Sequence, residues 1–154
     1  MSACDSPGLQ QVASATDPVV SLLRSFGDEE VLYCPNPGNA GDVFITSASY
    51  QALVRSACRY RVIDTRCAAE ATRGRIVVYG GGGAVVPLYS AASKFLREHH
   101  RGVQRLVVLP HTIRGHADLL AEFGENVHLF CREQPSFEHV SRHAPHAMVE
   151  RGKR

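Results

Sequence analysis

The sequence predicts an α/β protein with a Rossmann-like, mostly parallel sheet that carries helices on both faces. Short, continuously apolar stretches recur along the chain, among them residues 31–34, 76–79 and 106–109. Strands that are buried on both faces have this continuous apolar character. Longer stretches with helical periodicity lie between them. This alternation is typical of parallel sheets whose crossover helices cover both faces.

The composition suits one globular domain. The chain has 154 residues, of which 44% are hydrophobic and 21% are charged. Its 17 basic and 15 acidic residues give a formal net charge of +2, so we expect no nucleic-acid partner. No apolar run approaches the roughly 20 residues of a membrane helix, so we expect no transmembrane segment. The first sixteen residues lack the apolar region of a secretory signal, which predicts a cytoplasmic location.

The cysteines indicate a reducing environment. The five cysteines are odd in number and form no C-x-x-C pair. A disulfide framework or a zinc site is therefore not expected. The histidines at 139, 143 and 146 have no carboxylate or cysteine that completes a metal-ligand set, so we predict no metal site.

The elements follow from caps, breakers and periodicity. Residues 1–16 are predicted to be a loose tail, and residues 17–150 one Rossmann-like domain. Asp17 and Pro18 open a short helix as its cap and first-turn proline, and Gly27 ends it. Further helices are predicted at 42–58, 90–101, 116–123 and 135–142. Strands are predicted at 31–34, 61–64, 75–79, 105–109 and 127–130, with Pro110 ending the fourth strand and a sixth strand possible at 147–150.

Polar or glycine-rich segments follow four of the five predicted strands. These segments are residues 36–42, 80–83, 110–114 and 131–133. Ligands of open parallel sheets bind outside the carboxyl ends of the strands. The topology therefore gathers the four segments along one edge of the sheet, and this convergence is the main functional signal.

The glycine run has two interpretations. Gly81, Gly82 and Gly83 could bring backbone N–H groups close to an anion. A helix N-terminus just beyond them would add partial positive charge. The run matches neither G-x-G-x-x-G nor the P-loop pattern. The alternative is a tight strand-to-helix turn with close packing, and the local sequence does not separate the two.

The loop after the first strand offers three polar candidates. Asp42 could accept a proton from a sugar hydroxyl as a general base, or it could cap the following helix. Asn36 and Asn39 could bind hydroxyl groups, or they could stabilise their own turn.

The later strands contribute four more candidates. His111 can change charge near neutral pH and is followed by the polar Thr112. Its alternative role is structural. Arg132 and Glu133 could bind and orient an anion, or they could pair with each other or cap the next helix.

Taken together, these segments resemble the polysaccharide pyruvyl transferase family. Their order and spacing over about residues 31–140 make the match specific. The residues that carry the resemblance are Asn36-Pro37-Gly38-Asn39-Ala40-Gly41-Asp42-Val43-Phe44-Ile45, Tyr79-Gly80-Gly81-Gly82-Gly83 with Pro87, Val107-Val108-Leu109-Pro110-His111-Thr112-Ile113, and Phe130-Cys131-Arg132-Glu133 with Ser136-Phe137.

The resemblance implies one half of a GT-B-like fold, in which a cleft lies between two Rossmann-like halves. It also implies transfer of a pyruvyl group from phosphoenolpyruvate to a sugar of a cell-surface polysaccharide, with formation of a ketal. Phosphoenolpyruvate is then a donor substrate, and no cofactor is expected. The chain matches only the N-terminal half of the family, so a complementary C-terminal half is an expected partner.

On this basis the candidate site residues receive roles. Asp42 and His111 are the catalytic candidates. The substrate-binding candidates are Asn36, Asn39, Gly81, Gly82, Gly83, Thr112, Arg132 and Glu133. Two alternatives stay open, namely a binding domain without catalysis and a fragment of a GT-B-type glycosyltransferase that uses a nucleotide sugar.

Overall fold

The structure, a computed structural model, describes residues 17–36, 38 and 40–152 and contains an open seven-stranded sheet. The strands are β1 (Val31–Cys34), β2 (Tyr60–Val62), β3 (Ile76–Tyr79), β4 (Gly82–Val85), β5 (Arg105–Ile113), β6 (Val127–Cys131) and β7 (Met148–Arg151). The helices are α1 (Pro18–Arg24), α2 (Ala40–Arg55), α3 (Ala69–Thr72), α4 (Ala91–His99), α5 (Ala117–Glu122) and α6 (Gln134–His143). The predicted tail at 1–16 lies outside the described residues.

The strand order confirms the predicted Rossmann-like α/β class. The strands lie in the order β2-β1-β3-β5-β6-β7, with β4 beside β5, and each of these neighbouring pairs is parallel. The chain moves outward from β1 to β2 and then returns to the other side of β1 to form β3. The direction of winding therefore reverses between β1 and β3, and such a reversal is the switch point at which open α/β sheets bind ligands.

Helices cover both faces of the sheet because neighbouring strand residues point to opposite sides. On one face, Val31 and Tyr33 of β1 join a buried cluster with residues of α1 and α2. On the other face, Leu32 and Cys34 join a second cluster that includes residues of α4, α5 and α6. This double cover explains why the strands have continuous apolar runs instead of alternating ones.

The first helix forms as its sequence predicts. Asp17 has an extended backbone, and its carboxylate accepts a hydrogen bond from the Val19 N–H at 3.0 Å. Pro18 occupies the first turn, where its missing N–H removes no helical hydrogen bond. Gly27, two residues beyond the cap Ser25, has a φ of 60° and turns the chain toward β1.

The glycine run is not simply a turn. Gly82 and Gly83 begin β4, which pairs with β5 at Gly82↔His111 and Val85↔Ile113. β4 therefore continues the line of β3 along β5, and only Gly80 and Gly81 interrupt it. The interpretation of the run as a tight strand-to-helix turn, which the sequence left open, does not hold for the last two glycines.

Pro110 does not end the fourth predicted strand, which continues to Ile113 as β5. The partner of β5 on one side changes from β3, at Val108, to β4, at His111. The register with β6 shifts between the same two residues. Pro110 thus lies at a gap in both ladders, where no backbone N–H is required, and proline is tolerated in a sheet at such an irregularity.

Besides β4, two further elements extend the predicted set. The short helix α3 was not predicted, whereas β7 forms at the position that the sequence marked as a possible strand. Within the described part of the chain, no helix combines the length and the apolar character needed to cross a membrane.

Candidate functional site

A cavity of about 690 Å³ opens at the switch point of the sheet. Its volume falls within the range of small-molecule sites. The polar residues and the glycine that argue for a site are Asn36 after β1, Asp42 in α2, Gly83 in β4, Ser90 before α4 and Arg132 after β6. We call it the switch-point cavity. The structure therefore brings together predicted candidates from three of the four polar segments.

Two helix N-termini face the switch-point cavity. Gly38 and Asp42, on either side of the start of α2, line it, and so do Ser90 and Ala91 at the start of α4. Among the described residues, α4 has neither a side-chain cap on its first turn nor an acidic residue within it. The first N–H groups of a helix have no partner within the helix, and they carry its partial positive charge. The end of α4 therefore favours an anion in this cavity, whereas the Asp42 carboxylate in the first turn of α2 offsets the positive charge of that helix end.

Asn36 supplies a buried donor to the cavity. Its side chain is only 5% exposed, and its Oδ1 accepts a hydrogen bond of 3.0 Å from the Tyr79 hydroxyl. Within the described part of the chain, its Nδ2 has no hydrogen-bond partner. Buried polar groups are rarely left unsatisfied. The Asn36 amide thus holds an unsatisfied donor at the wall of the cavity, although the Nδ2 atom itself is enclosed.

Gly82 lies directly beneath the polar groups of Asn36 and Asp42. A Cβ at this position would lie 2.3 Å from Asn36 Nδ2 and 3.4 Å from Asp42 Oδ1. No side chain fits such a close approach, so this position requires glycine. The close packing that the second interpretation of the glycine run expected is present at Gly82, but within a strand and not within a turn. Asp42 lines the same cavity, and its role as a general base stays a prediction.

Arg132 connects the switch-point cavity to a second cavity of about 540 Å³. The second cavity is largely apolar and is lined by Phe44 and Ile45 of α2 and by Leu109 and Pro110 of β5, among others. The Arg132 side chain is exposed, and it forms no ion pair with any residue that the structure describes. Its charge is therefore available to a ligand in either cavity.

His111 lies within the sheet and is fully buried. Burial lowers the pKa of His111 to about 4, and only small opposing effects come from the Leu109 carbonyl and from Asp42. Its Nδ1 donates to the Leu109 carbonyl at 3.1 Å, which leaves Nε2 as an acceptor. The imidazole is neutral near pH 7, and a catalytic role for it stays a prediction.

Thr112 and Glu133 belong to a polar network beside the cavity. The Thr112 hydroxyl donates to Glu133 Oε2 at 3.1 Å, the Ser136 hydroxyl donates to Glu133 Oε1, and Arg114 forms an ion pair of 3.2 Å with Glu133. Ser136 Oγ also accepts from the Ile113 N–H at 2.8 Å. This network ties the start of α6 to the end of β5. Glu133 therefore pairs with Arg114 and not with Arg132.

Replacing Glu133 with alanine is expected to lower the free energy of unfolding by about 1–3 kcal/mol, because its partners Thr112, Ser136 and Arg114 lose their shared acceptor. Urea unfolding of the variant measures this loss. Glu138→Ala is the control, since Glu138 is exposed and, among the residues that the structure describes, accepts a side-chain hydrogen bond from Gln134 alone. Its expected change is within about 0.5 kcal/mol. Equal stability of the two variants would contradict a structural role for Glu133.

Sequence reasoning did not single out Tyr79 or Ser90 as site residues. Tyr79 ends a strand whose other residues are aliphatic, and a buried phenol hydroxyl requires a partner. That requirement was the available signal. Asn39 lies outside the described residues, so its predicted role stays a prediction.

These features define an α/β protein of Rossmann-like fold with a polar cavity at the switch point of its sheet. Neither a protein-family model nor a curated protein matches the chain. An uncharacterised protein from Klebsiella pneumoniae, whose crystal structure is solved, is similar, with a TM-score of 0.73 and 26% sequence identity. The match covers 88% of this chain and 54% of the Klebsiella chain, so this chain spans about half the length of that protein.

Proposed function

We propose that this chain forms one half of the active site of a polysaccharide pyruvyl transferase, which moves a pyruvyl group from phosphoenolpyruvate to a sugar. The observation that carries the proposal is the set of groups around the switch-point cavity that favour an anion. The N-terminus of α4 and the Arg132 guanidinium line it, and so does Asn36, whose buried Nδ2 has no hydrogen-bond partner among the described residues. An anion with several acceptor oxygens matches this set.

The proposed reaction requires a proton acceptor and a proton donor. A sugar hydroxyl attacks the carbon that bears the phosphate, while the methylene carbon of the enol takes up a proton. The C–O bond to phosphate breaks, and a second hydroxyl of the sugar closes the ketal. One hydroxyl proton thus ends on the new methyl group and the other on the phosphate. Asp42 is the proposed acceptor for the proton of the attacking hydroxyl.

Exposed apolar residues lie at the opening of the site, and they support the proposal that a second polypeptide packs there. Phe44 is 81% exposed beside the second cavity, and Leu88 is 80% exposed at the switch-point cavity. Large exposed apolar residues grouped beside a cleft are typical of interaction surfaces. We propose that a complementary C-terminal half covers this opening and supplies the remaining donor-binding groups and the acid.

The test combines the chain with phosphoenolpyruvate and a candidate saccharide, in the presence and absence of the C-terminal half of a pyruvyl transferase. Phosphate release is followed by ³¹P NMR, and the ketal methyl group by ¹H NMR. The proposal predicts both products when the two halves are present. Absence of turnover with both halves would refute it. Binding of a nucleotide sugar without binding of phosphoenolpyruvate would favour the glycosyltransferase alternative.

Arg132→Ala is expected to weaken phosphoenolpyruvate binding by about one to two orders of magnitude, because charge-assisted hydrogen bonds contribute about 1.5–3 kcal/mol. Isothermal titration calorimetry on the isolated chain measures the affinity. Arg142→Ala is the matched control, since Arg142 lies in the last turn of α6, at the opposite edge of the sheet, and is also exposed. An equal loss of affinity in both variants would show that Arg132 acts only through net charge.

A further inference from the structure

Tyr79 lies below the switch-point cavity, in the core of the sheet. Its ring is fully buried and packs against Phe95 at 5.1 Å and His111 at 5.7 Å between ring centroids. The Tyr79 hydroxyl does not line the cavity, but it donates to Asn36 Oδ1 at 3.0 Å. Asn36 does line the cavity. The phenol therefore contacts the site through one side chain.

The hydrogen bond determines which end of the Asn36 amide faces the ligand. A phenol has one proton to donate, and Asn36 Oδ1 is the acceptor that the described residues offer it. If the amide were turned by 180°, its N–H groups would face the phenol and the phenol proton would be buried without an acceptor. The orientation with Oδ1 toward Tyr79 is therefore favoured, and Nδ2 lies over Gly82.

We infer that Tyr79 is a positioning residue that holds the Asn36 amide with its N–H groups toward the cavity, where they bind an acceptor oxygen of the ligand. The phosphate and carboxylate oxygens of phosphoenolpyruvate are acceptors of this kind, and in that respect the inference rests on the proposed function. An amide that could turn freely would present its carbonyl for part of the time and would repel an anion.

The first experiment needs no ligand. In the ¹⁵N-labelled chain, the side-chain amide signals of Asn36 are identified by their loss in Asn36→Asp. Their ¹H–¹⁵N heteronuclear NOE reports motion on the picosecond to nanosecond timescale. We expect a high value in the unmodified chain and a clear decrease in Tyr79→Phe. An unchanged value in Tyr79→Phe would overturn the inference.

Tyr33→Phe is the matched control. Tyr33 lies in the neighbouring strand β1 and is fully buried, and its hydroxyl lies beside Ser49 and does not bond the Asn36 side chain, whose partner is Tyr79. The substitution removes the same atom from the same kind of environment. We expect the Asn36 signals in Tyr33→Phe to match those of the unmodified chain, and an equal decrease in both variants would also overturn the inference.

Calorimetric titration with phosphoenolpyruvate, and separately with inorganic phosphate, adds the functional readout. We expect Tyr79→Phe to weaken binding of phosphoenolpyruvate on the order of fivefold, the typical effect of one neutral hydrogen bond. Asn36→Asp is expected to weaken it more, because a carboxylate in place of the donor repels an anion. Equal or tighter binding by Asn36→Asp would show that the ligand presents a donor at this position and would overturn the inference.

The two experiments separate failure of this inference from failure of the proposed function. If the unmodified chain binds neither phosphoenolpyruvate nor phosphate, the proposed function loses its support, while the NOE values still decide whether Tyr79 fixes the amide. If the unmodified chain binds phosphoenolpyruvate, and Tyr79→Phe has the same Asn36 NOE and the same affinity as the unmodified chain, the inference is wrong and the proposed function stands.

Discussion

Gly82→Ala is expected to weaken phosphoenolpyruvate binding by more than about a hundredfold, which corresponds to roughly 3 kcal/mol. The new Cβ would lie 2.3 Å from Asn36 Nδ2, so the amide must move. The hydrogen bond from Tyr79 holds Asn36 on its other side, and moving the amide breaks that bond. The substitution therefore removes the donor from the cavity, and overpacking lowers the free energy of unfolding by about 1–3 kcal/mol.

Gly102→Ala provides the control for this substitution. Gly102 lies after the end of α4 and does not line the switch-point cavity, and its added Cβ would meet no heavy atom within 4 Å in the described part of the chain. Isothermal titration calorimetry and urea unfolding compare the two variants. We expect Gly102→Ala to bind and unfold much like the unmodified chain. If Gly82→Ala binds phosphoenolpyruvate as tightly as Gly102→Ala does, the ligand does not use Asn36.

Acidification from about pH 6.5 to pH 4 is expected to reduce the free energy of unfolding by on the order of 3 kcal/mol through His111 alone. Burial lowers the pKa of His111 from 6.5 to about 4. Between these values the unfolded chain binds a proton that the folded chain excludes, so stability falls as the pH falls. Above about pH 6.5, His111 is neutral in both the folded and the unfolded chain, so its titration no longer changes the free energy of unfolding.

Other buried histidines act in the same direction. Burial also lowers the pKa values of His99, His100 and His128. For His128, Glu150 partly opposes the change, because its carboxylate lies 2.8 Å from His128 Nε2. We therefore expect the free energy of unfolding to fall steeply as the pH falls below about 6.5, with His111 as the largest single contributor.

Urea unfolding at several pH values tests this expectation, with His111→Asn as the control. Asparagine retains a donor for the Leu109 carbonyl but does not titrate, so the pH dependence of the variant should be shallower by the His111 contribution. The same slope in both proteins would show that His111 is protonated in the folded state, contrary to its burial.

The sequence predicts most of the architecture because burial on both faces leaves a direct pattern. The five principal strands lie at or within one residue of their predicted starts, and the parallel order follows from the helices between them. Pro110 and Gly82 were misassigned for one physical reason. Proline and glycine usually interrupt a strand, but here both lie at a change of strand pairing that depends on tertiary contacts.

The site was only partly predictable. The carboxyl-edge rule correctly groups Asn36, Asp42 and Arg132 around one cavity. The rule predicts at which end of the strands a residue lies, but it does not predict where its side chain points. His111 and Thr112 are adjacent in β5, yet His111 lies in the core and the Thr112 hydroxyl donates to Glu133. The Tyr79–Asn36 contact joins residues 43 positions apart and depends on the register of β1 and β3.

The most direct test of the account is a titration of the ¹⁵N-labelled chain with phosphoenolpyruvate, followed by backbone chemical shifts. Binding at the switch point predicts the largest changes at the Gly82 and Gly83 amides, at the start of α4 and at Arg132, with α5 unaffected. Changes centred on α5 and α6, or no changes at millimolar ligand, would contradict an anion site at the switch point.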